Sequence, residues 1–303
     1  MQPRRLLPYV VLAAGVLVVS TASILIRLAQ SAAVPSLTIA AARLGGASIL
    51  LLPFGLFRSR SELARLSRRD VALALISGAF LALHFWSWIS SLEYTSVASS
   101  TALVTTNPLW VGLASVVVFQ ERLRSMTFIG IGLTFAGTGL IFAADHHSMI
   151  GEHPDALLGN CLALVGAVCA SGYLLIGRAL RGRVSLLTYI WLAYSSAAVL
   201  LAIAVLISGS RVLGFTPSAY LLLLLLAIGP QLLGHTSFNW SLRHLSATFV
   251  ALSILGEPVG SALLALTIFG ERLAPLQLAG FLVVLVGIFT ASLGERSTAD
   301  SRR

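Results

Sequence analysis

The chain has 303 residues, of which 57% are hydrophobic and only 10% are charged. Soluble domains carry about 25% charged residues, so this composition excludes an ordinary soluble protein and predicts one that is embedded in the lipid bilayer. The formal net charge is +9, and all 20 basic residues are arginine. These arginines cluster in short connections between apolar runs, and we expect no nucleic-acid partner.

Ten apolar runs are each long enough to cross a bilayer as a helix, which takes about 20 residues. In chain order they cover residues 8–29, 36–57, 70–91, 97–119, 125–143, 156–177, 186–207, 217–240, 246–268 and 275–293. The short connections leave no room for a large soluble domain. Stretches such as YLLLLLLAIG are apolar on every face, which favours helices over the alternating strands of a barrel. We therefore predict an all-α membrane protein with ten transmembrane helices.

The arginines predict the orientation of these spans. Most of them lie at the termini or in alternate connections, which the positive-inside rule assigns to the cytoplasm. This set of sixteen comprises Arg4, Arg5, Arg58, Arg60, Arg65, Arg68, Arg69, Arg122, Arg124, Arg178, Arg181, Arg183, Arg243, Arg296, Arg302 and Arg303. Both termini are therefore predicted to lie in the cytoplasm of a cell whose cytoplasmic (inner) membrane holds the protein. The first run is too long for a signal peptide and is expected to remain as a span.

An internal repeat relates the two parts of the chain. One offset of 150 residues relates the pairs Pro108 and Pro258, Phe119 and Phe269, Glu121 and Glu271, Gly130 and Gly280, and Gly137 and Gly287. We infer two homologous five-span halves, 1–143 and 156–294, with an outer loop at 144–155 and a cytoplasmic tail at 295–303. Because five is odd, the second half is inverted in the membrane. Inverted repeats are characteristic of secondary transporters, whose site lies near mid-membrane between the halves.

Two dipeptides occupy matching places in this repeat, Asn107-Pro108 in span 4 and Glu257-Pro258 in span 9. Each proline removes a backbone donor and crowds the carbonyl four residues earlier, so we expect both prolines to interrupt their helices. The freed carbonyl needs a side chain, a water or a ligand as partner. The two dipeptides should therefore face each other near the middle of the membrane.

Two longer segments carry a family resemblance. NPLWVGLASVVVFQERL is followed by GIGLTFAGTGL, and EPVGSALLALTIFGERL is followed by GFLVVLVGIFTA. With two five-span halves, this pattern resembles the EamA family of the drug/metabolite transporter superfamily; one departure is Gln120 where the second half has Gly270. The resemblance implies a carrier that moves small metabolites, often amino acids and often outward, through a central cavity lined by both halves.

Glu257 is the leading candidate for a functional residue. A charge at mid-bilayer costs about 2.5–3.5 kcal/mol, so such residues usually face the bundle interior and mark a pathway or a proton relay. The alternative is a structural carboxyl that ties helices together. Asn107 suits either a polar substrate or the backbone carbonyl freed by Pro108, and bridging between helices is equally common for asparagine in membranes.

Aromatic and imidazole side chains form a second group of cavity candidates. His84 and Trp86 lie within span 3, and His235 and Asn239 lie within span 8. Such groups can stack on a planar or cationic ligand. Trp88 and Trp240 lie near span ends, and for these two we favour interface anchors.

Arg43 and Tyr173 complete the candidates. Arg43 lies about seven residues inside span 2, where it either snorkels to the interface or binds a substrate carboxylate. Tyr173, in span 6, offers a cavity hydroxyl, although helix packing explains it as well.

Other features predict architecture. Gly130, Gly132, Gly137 and Gly139, together with Gly256 and Gly260, are typical of closely packed helices. The acidic residues and histidines of the outer loop lack a metal-ligand spacing, and Cys161 and Cys169 suggest neither a disulfide nor a zinc site. No metal and no cofactor is expected. Glu121-Arg122 and Glu271-Arg272 lie at opposite faces and are candidates for gate ion pairs, although such exposed pairs are ordinary.

These features favour a secondary transporter. Its candidate substrates are amino acids, and its candidate coupling ion is the proton, taken up by Glu257. A facilitative carrier would use the same architecture. A translocator of sugar phosphates or nucleotide sugars is a further alternative, but it favours several cavity cations and this chain has no lysine. An intramembrane enzyme is disfavoured, because the sequence carries no recognisable catalytic or nucleotide-binding motif.

Overall fold

The computed structural model describes residues 3–58, 60–107, 109–111, 113–114, 125–147, 155–180, 183–241, 244, 253–254 and 256–300. Within these ranges the chain is helical and forms no β-strand. The helices are α1 Pro3–Ser20, α2 Ala22–Ser31, α3 Ser36–Arg58, α4 Arg60–Leu63, α5 Arg68–Tyr94, α6 Val97–Val104, α7 Ser125–His147, α8 Ala156–Leu180, α9 Leu186–Ser208, α10 Pro217–Leu226, the π-helical segment π1 Ala227–Gly234, α11 His235–Ser241, α12 Gly256–Phe269 and α13 Pro275–Asp300.

Seven helical stretches in the described part of the chain are long and apolar enough to cross a membrane. They are Leu6–Ser31, Ser36–Phe57, Arg68–Tyr94, Ser125–Ala144, Ala156–Gly177, Leu186–Ser208 and Pro217–Phe238. Two shorter apolar helices, Gly256–Phe269 and Pro275–Thr290, follow. The predicted fourth and ninth spans include residues outside the described ranges, so the number of ten spans stays a prediction.

Several predicted boundaries differ from the observed ones. The first span consists of two helices, α1 and α2, which meet at Thr21. Helix α7 continues to His147, past the predicted start of the outer loop at 144, and α13 continues to Asp300, past the predicted start of the tail at 295. Apolarity marks the part of a helix that lies in hydrocarbon, whereas hydrogen bonding continues the helix into the polar region.

Side-chain caps begin several of these helices. Ser67, Ser96, Ser185 and Thr216 each have extended backbone angles and accept a hydrogen bond from the N–H three residues later. This is the usual N-cap arrangement, and it satisfies one of the donors that a helix start leaves free. Gly209 ends α9 in the left-handed conformation, with a φ of 64°, which glycine adopts without strain.

Large apolar side chains cover the outside of the bundle. Phe57 is 87% exposed, Ile207 83% and Leu206 78%. Exposing such a surface to water is unfavourable, whereas contact with the hydrocarbon of a bilayer is not. The interior contains apolar side chains and, among them, polar residues such as Ser77, Ser91 and Ser100, which are fully buried.

The helix contacts follow a pseudo-two-fold pattern. Helix α3 packs on α9, α7 on α13 and α6 on α12, while α5 packs on α8 and α1 packs on π1 and α11. In terms of the predicted spans, the pairs are 2 with 7, 5 with 10, 4 with 9, 3 with 6, and 1 with 8. Exchanging spans 1–5 for spans 6–10 maps this set of pairs onto itself. The two halves therefore have related positions in the bundle.

Glycines at the α7–α13 contact repeat this symmetry in detail. A Cβ added to Gly137 would lie 2.7 Å from Gly280 O, and one added to Gly287 would lie 2.8 Å from Gly130 O. Since 130 and 280, and 137 and 287, are repeat-related, the two contacts are symmetry mates. Close packing is thereby confirmed here, and also for Gly256 and Gly260, which face Val16 and Ser20.

The same prediction is wrong for Gly132 and Gly139. A Cβ added at either position would meet no described atom within 4 Å. Both lie on α7 between the packed positions, and the helical repeat turns them to a different side.

One end of the bundle, here called the Glu271 end, is closed by polar contacts between the halves. Arg27 pairs with Glu271 at 3.2 Å and donates to Thr95 O at 2.8 Å. The second carboxylate oxygen of Glu271 accepts from the N–H of Val97 at 2.9 Å. Thr95 in turn donates to Asn160 Oδ1 at 2.9 Å. The predicted gate residue Glu271 therefore pairs with Arg27, across the halves; Glu121 and Arg122 lie outside the described residues.

The opposite end of α5, here called the Glu62 end, carries a second set of contacts between the halves. Glu62 accepts hydrogen bonds from Ser185 Oγ at 2.6 Å, from Thr188 Oγ1 at 2.5 Å and from the N–H of Ser185. Asp70 pairs with Arg183 at 2.9 Å. Each half thus contributes one partner to each of these interactions.

The Glu62 contacts make stability depend on pH. Burial by itself would raise the pKa of the Glu62 carboxyl, but the hydrogen bonds from Ser185 and Thr188 outweigh it and hold the pKa below its ordinary value of 4.5. A depressed pKa contributes stability above the unfolded pKa, and this stability is lost as pH falls through the folded pKa. We expect part of the loss of thermal stability below about pH 4.5 to be absent in Glu62→Gln.

Thermal unfolding in detergent between neutral and acidic pH checks this expectation. The pair Ser185→Ala and Thr188→Val should remove the same component from the other side of the contact. An identical pH profile in the wild type and in Glu62→Gln would contradict it.

Candidate functional site

A cavity of about 260 Å³ lies inside the bundle. Both halves line it: α1, α3, α5 and α6 contribute from the first, and α8, α9, π1, α11 and α12 from the second. The volume lies somewhat below the about 300–1,000 Å³ of pockets for drug-sized ligands. Its position between the halves matches the place predicted for the site.

Arg43 forms the centre of the polar wall. Its side chain is fully buried, which excludes the predicted alternative that it snorkels to the interface. Arg43 Nε donates to Gln231 Oε1 at 2.7 Å, and Nη2 donates to His235 Nε2 across 3.4 Å. The guanidinium carbon lies 4.2 Å from the centre of the Phe85 ring. A neutral amide, an imidazole and an aromatic face therefore hold the cation.

The π-helical segment π1 supplies two of these contacts. It contains Pro230, which has no N–H to donate and therefore disrupts α-helical hydrogen bonding. A π-helical turn is wider than an α-helical one and is frequent at functional sites. It places Gln231, which is 1% exposed, against Arg43, and α11 begins with His235 immediately after it. Tyr194 shares a hydrogen bond with Gln231.

One end of the Arg43 guanidinium lacks a hydrogen-bond partner in the part of the protein that the structure describes. Among the described residues, no hydrogen-bond acceptor reaches Nη1, although this atom is buried. Glu257 lines the same cavity and interacts electrostatically with Arg43. The two are too far apart for an ion pair, since the ion pairs in the described part of the chain are Arg27–Glu271 and Arg183–Asp70.

Glu257 is the second residue of α12, and contacts with the first span fix its position. Ser20 Oγ donates to the backbone O of Glu257 at 3.4 Å, and Ser261 Oγ donates to Ser20 O at 3.0 Å. Pro258 is the third residue of α12 as the structure describes it, and its side chain is buried. The backbone is therefore anchored while the carboxyl lines the cavity.

His84 lines the cavity as predicted and is oriented by a backbone contact. Its Nδ1 lies 2.9 Å from Gly166 O, and because a carbonyl only accepts, Nδ1 carries the proton. The ring lies parallel to Trp88, with centroids 6.0 Å apart.

The prediction that Trp86 lines the cavity is wrong. The prediction that Trp88 is an anchor at the membrane interface is also wrong. Trp86 is 43% exposed and lies outside the cavity, whereas Trp88 is 3% exposed and lines it. Successive residues of an α-helix are turned by about 100°, so His84, Phe85 and Trp88 share one face and Trp86 points away. Trp240 contacts His244, with ring centroids 4.4 Å apart.

Asn107 and Tyr173 also line the cavity. The backbone O of Asn107 accepts from Ser171 Oγ at 3.0 Å, which links the fourth span to α8. Tyr173 stacks on Tyr189 with ring centroids 5.7 Å apart, and its backbone O accepts from Tyr189 Oη at 2.9 Å. The structure thus brings Asn107 and Glu257 to one cavity. Pro108 and the side chain of Asn239 lie outside the described part of the structure.

Sequence reasoning missed Gln231, Tyr194 and Phe85. Gln231 had a usable signal, since it is the one amide within the apolar run YLLLLLLAIGPQLLG. Phe85 and Tyr194 had none, because aromatic residues are common throughout apolar spans. In the described residues no cluster of three potential metal ligands occurs.

Comparisons with known proteins bear on the whole chain. The model of the EamA-like transporter family matches residues 6–143 and 157–293. A curated relative, "Uncharacterized transporter YetK" from Bacillus subtilis (strain 168), is 26% identical over an alignment of 201 residues, which covers 61% of this chain. That match spans 60% of the relative, less than two thirds of its length. A solved crystal structure shares the fold, with a TM-score of 0.64 at 22% identity over 95% of this chain and 98% of the other.

Proposed function

Because the chain belongs to the EamA-like transporter family, and is therefore a multi-pass membrane transporter, we propose that it is a secondary carrier that exports small metabolites such as amino acids by alternating access. The observation that carries this proposal is the cavity between the two halves, with Arg43, His84 and Asn107 from the first and His235 and Glu257 from the second. A site shared by both halves changes its exposure when one half moves against the other.

The two ends of the bundle support alternating access. At the Glu271 end, the Arg27–Glu271 pair and its neighbours join the halves. Toward the Glu62 end, the cavity reaches Val184 and Leu186, between α8 and α9. These contacts support a cycle in which the Glu271 end is closed in the present state, and in which they break when that end opens.

The arginine distribution supports export from the cytoplasm. Arg58, Arg60 and Arg183 belong to the cytoplasmic set predicted by the positive-inside rule, and all three lie at the Glu62 end. A cavity that reaches this end would receive substrate from the cytoplasm. We place the protein in the cytoplasmic membrane with both termini in the cytoplasm.

Glu257 is the residue we assign to proton coupling. It is the one carboxyl among the described residues that line the cavity, and acidic groups within membrane spans commonly relay protons. A facilitative carrier remains the alternative, with Glu257 as a structural residue. The sugar-phosphate alternative has less support, because Arg43 is the one arginine among the described lining residues.

Glu257→Gln is expected to abolish substrate-dependent proton flux, because an amide side chain does not take up and release protons near neutral pH. The measurement uses purified protein in proteoliposomes that contain a pH-sensitive dye, with counterflow of amino acids, organic cations and sugar phosphates measured in parallel. Glu93→Gln is the matched control, since Glu93 is exposed and lies on α5 outside the cavity.

Two other results would change the proposal. Counterflow without proton flux, equal in wild type and in Glu257→Gln, would make the protein a facilitator. If none of the three substrate classes shows counterflow, the proposal that the protein carries these classes is overturned.

A further inference from the structure

We propose that the cavity binds an organic carboxylate, with the carboxylate group on the guanidinium of Arg43 and an apolar body against the aromatic wall. This inference rests on the proposed function, because it assumes that the cavity is where the carrier holds its substrate. It adds the chemical class that the site recognises and the residue that recognises it.

The first step is the incomplete hydrogen bonding of Arg43. A guanidinium has five N–H donors; Gln231 accepts from Nε and His235 accepts from Nη2, while Nη1 has no acceptor among the described residues. Leaving a buried charged donor unsatisfied is costly. A ligand acceptor at this group would remove that cost.

The second step is charge. Gln231, His235 and Phe85 hold Arg43 without neutralising it, because none of them is an anion. Glu257, the acid of the same cavity, is too far away to pair with it directly. The site therefore presents a cation that lacks an adjacent anion, and planar carboxylates match the geometry of a guanidinium.

The third step excludes other anions and cations. A phosphate ester carries up to two charges and is usually held by several basic groups, whereas the described cavity wall has one arginine and also one carboxyl. An organic cation without an acidic group would leave Nη1 unsatisfied and would be repelled by Arg43. A single carboxylate is the group that fits one guanidinium.

The fourth step is the body of the ligand. Phe85 and Trp88 flank Arg43, with the guanidinium carbon 4.2 Å and 5.8 Å from the ring centres. Leu81, Leu174 and Phe238 extend the apolar wall. A cavity of about 260 Å³ has room for more than a carboxylate alone, and the apolar wall favours a hydrophobic remainder over a polyol.

Equilibrium binding to the purified full-length protein in detergent tests this assignment separately from transport. The probes are 3-phenylpropanoate and its amide, 3-phenylpropanamide, which differ mainly in the charge of one end. We expect the carboxylate to bind at least about tenfold more tightly than the amide, since a charge-assisted contact is at stake. Arg43→Gln should remove this preference, so that acid and amide bind with similar affinity, and Glu93→Gln should leave the wild-type preference in place.

The ligand pair measured on the wild type decides the question even if Arg43→Gln fails to fold. Equal binding of acid and amide to the wild type would overturn the inference. If the protein carries out counterflow but shows no preference for substrates with a carboxylate, the inference of a carboxylate site is overturned while the proposed carrier function stands. Carboxylate-selective binding in a protein that shows no counterflow would support the site and overturn the carrier.

Discussion

Arg27→Glu is expected to open the Glu271 end of the bundle, which faces the cell exterior in the proposed orientation, to external reagents. The substitution places two carboxylates where an ion pair of 3.2 Å now joins the halves, and it removes the donor to Thr95 O. Breaking one partner of a buried pair costs about 3–5 kcal/mol, and this pair is mostly buried, with side chains 19% and 13% exposed. We expect the cavity to become accessible at least about tenfold faster.

A cysteine in the cavity measures this opening. Val104→Cys is a suitable probe because Val104 lines the cavity and is 7% exposed. The native Cys161 and Cys169 are both free and are replaced by alanine in the background. Labelling of intact cells by a membrane-impermeant maleimide then reports access from outside.

The double reversal Arg27→Glu with Glu271→Arg serves as the rescue variant, because it restores opposite charges at the two positions. It should restore protection at least in part, and Arg272→Glu, at an exposed neighbour, should leave protection unchanged. Equal labelling rates in the wild type and in Arg27→Glu would show that this pair does not close the Glu271 end.

Gly137→Val is expected to destabilise the fold more than Gly132→Val or Gly139→Val, which lie on the same helix. The new Cβ would lie 2.7 Å from Gly280 O and 2.7 Å from the N atom of Val284. Neither atom can move without shifting the backbone of α13. Overpacking of this kind costs about 1–3 kcal/mol, and the symmetry-related Gly287→Val should cost a similar amount.

The matched controls lie on the same helix. Gly132→Val and Gly139→Val introduce the same side chain at positions where no atom of the described residues lies within 4 Å of the new Cβ. Apparent melting temperatures in detergent, followed by size-exclusion chromatography after heating, should fall by several degrees for Gly137→Val and stay near wild type for the controls. A uniform decrease in all three would show that valine itself, and not the contact with α13, destabilises α7.

Several site residues were predictable because a polar group in hydrocarbon is conspicuous. Glu257, Arg43 and His84 each interrupt an apolar run, and the structure brings all three to one cavity. Close packing at Gly137, Gly256 and Gly260 was also predictable, because small residues in membrane helices let neighbouring helices approach closely; that α7 packs on α13 was not predicted.

The helix face of a residue was harder to predict. Span 3 is largely apolar, and its few polar residues, among them Ser77, His84 and Ser91, give only a weak amphipathic signal with which to distinguish Trp86 from Trp88. In the structure, the packing of α5 against α8 places Trp88 inward. Gln231 depends on a contact with a residue 188 positions away and on the π-helical geometry of π1, and neither follows from local sequence.

The backbone contact between α7 and α13 also limits how the molecule can move. Side chains accommodate sliding by changing rotamers, but a contact of glycine against backbone has no such freedom. We therefore expect α7 and α13 to behave as one rigid body, with the other helices of each half moving relative to it. A disulfide between α7 and α13 should then leave transport intact. A disulfide across the Glu271 end should stop transport.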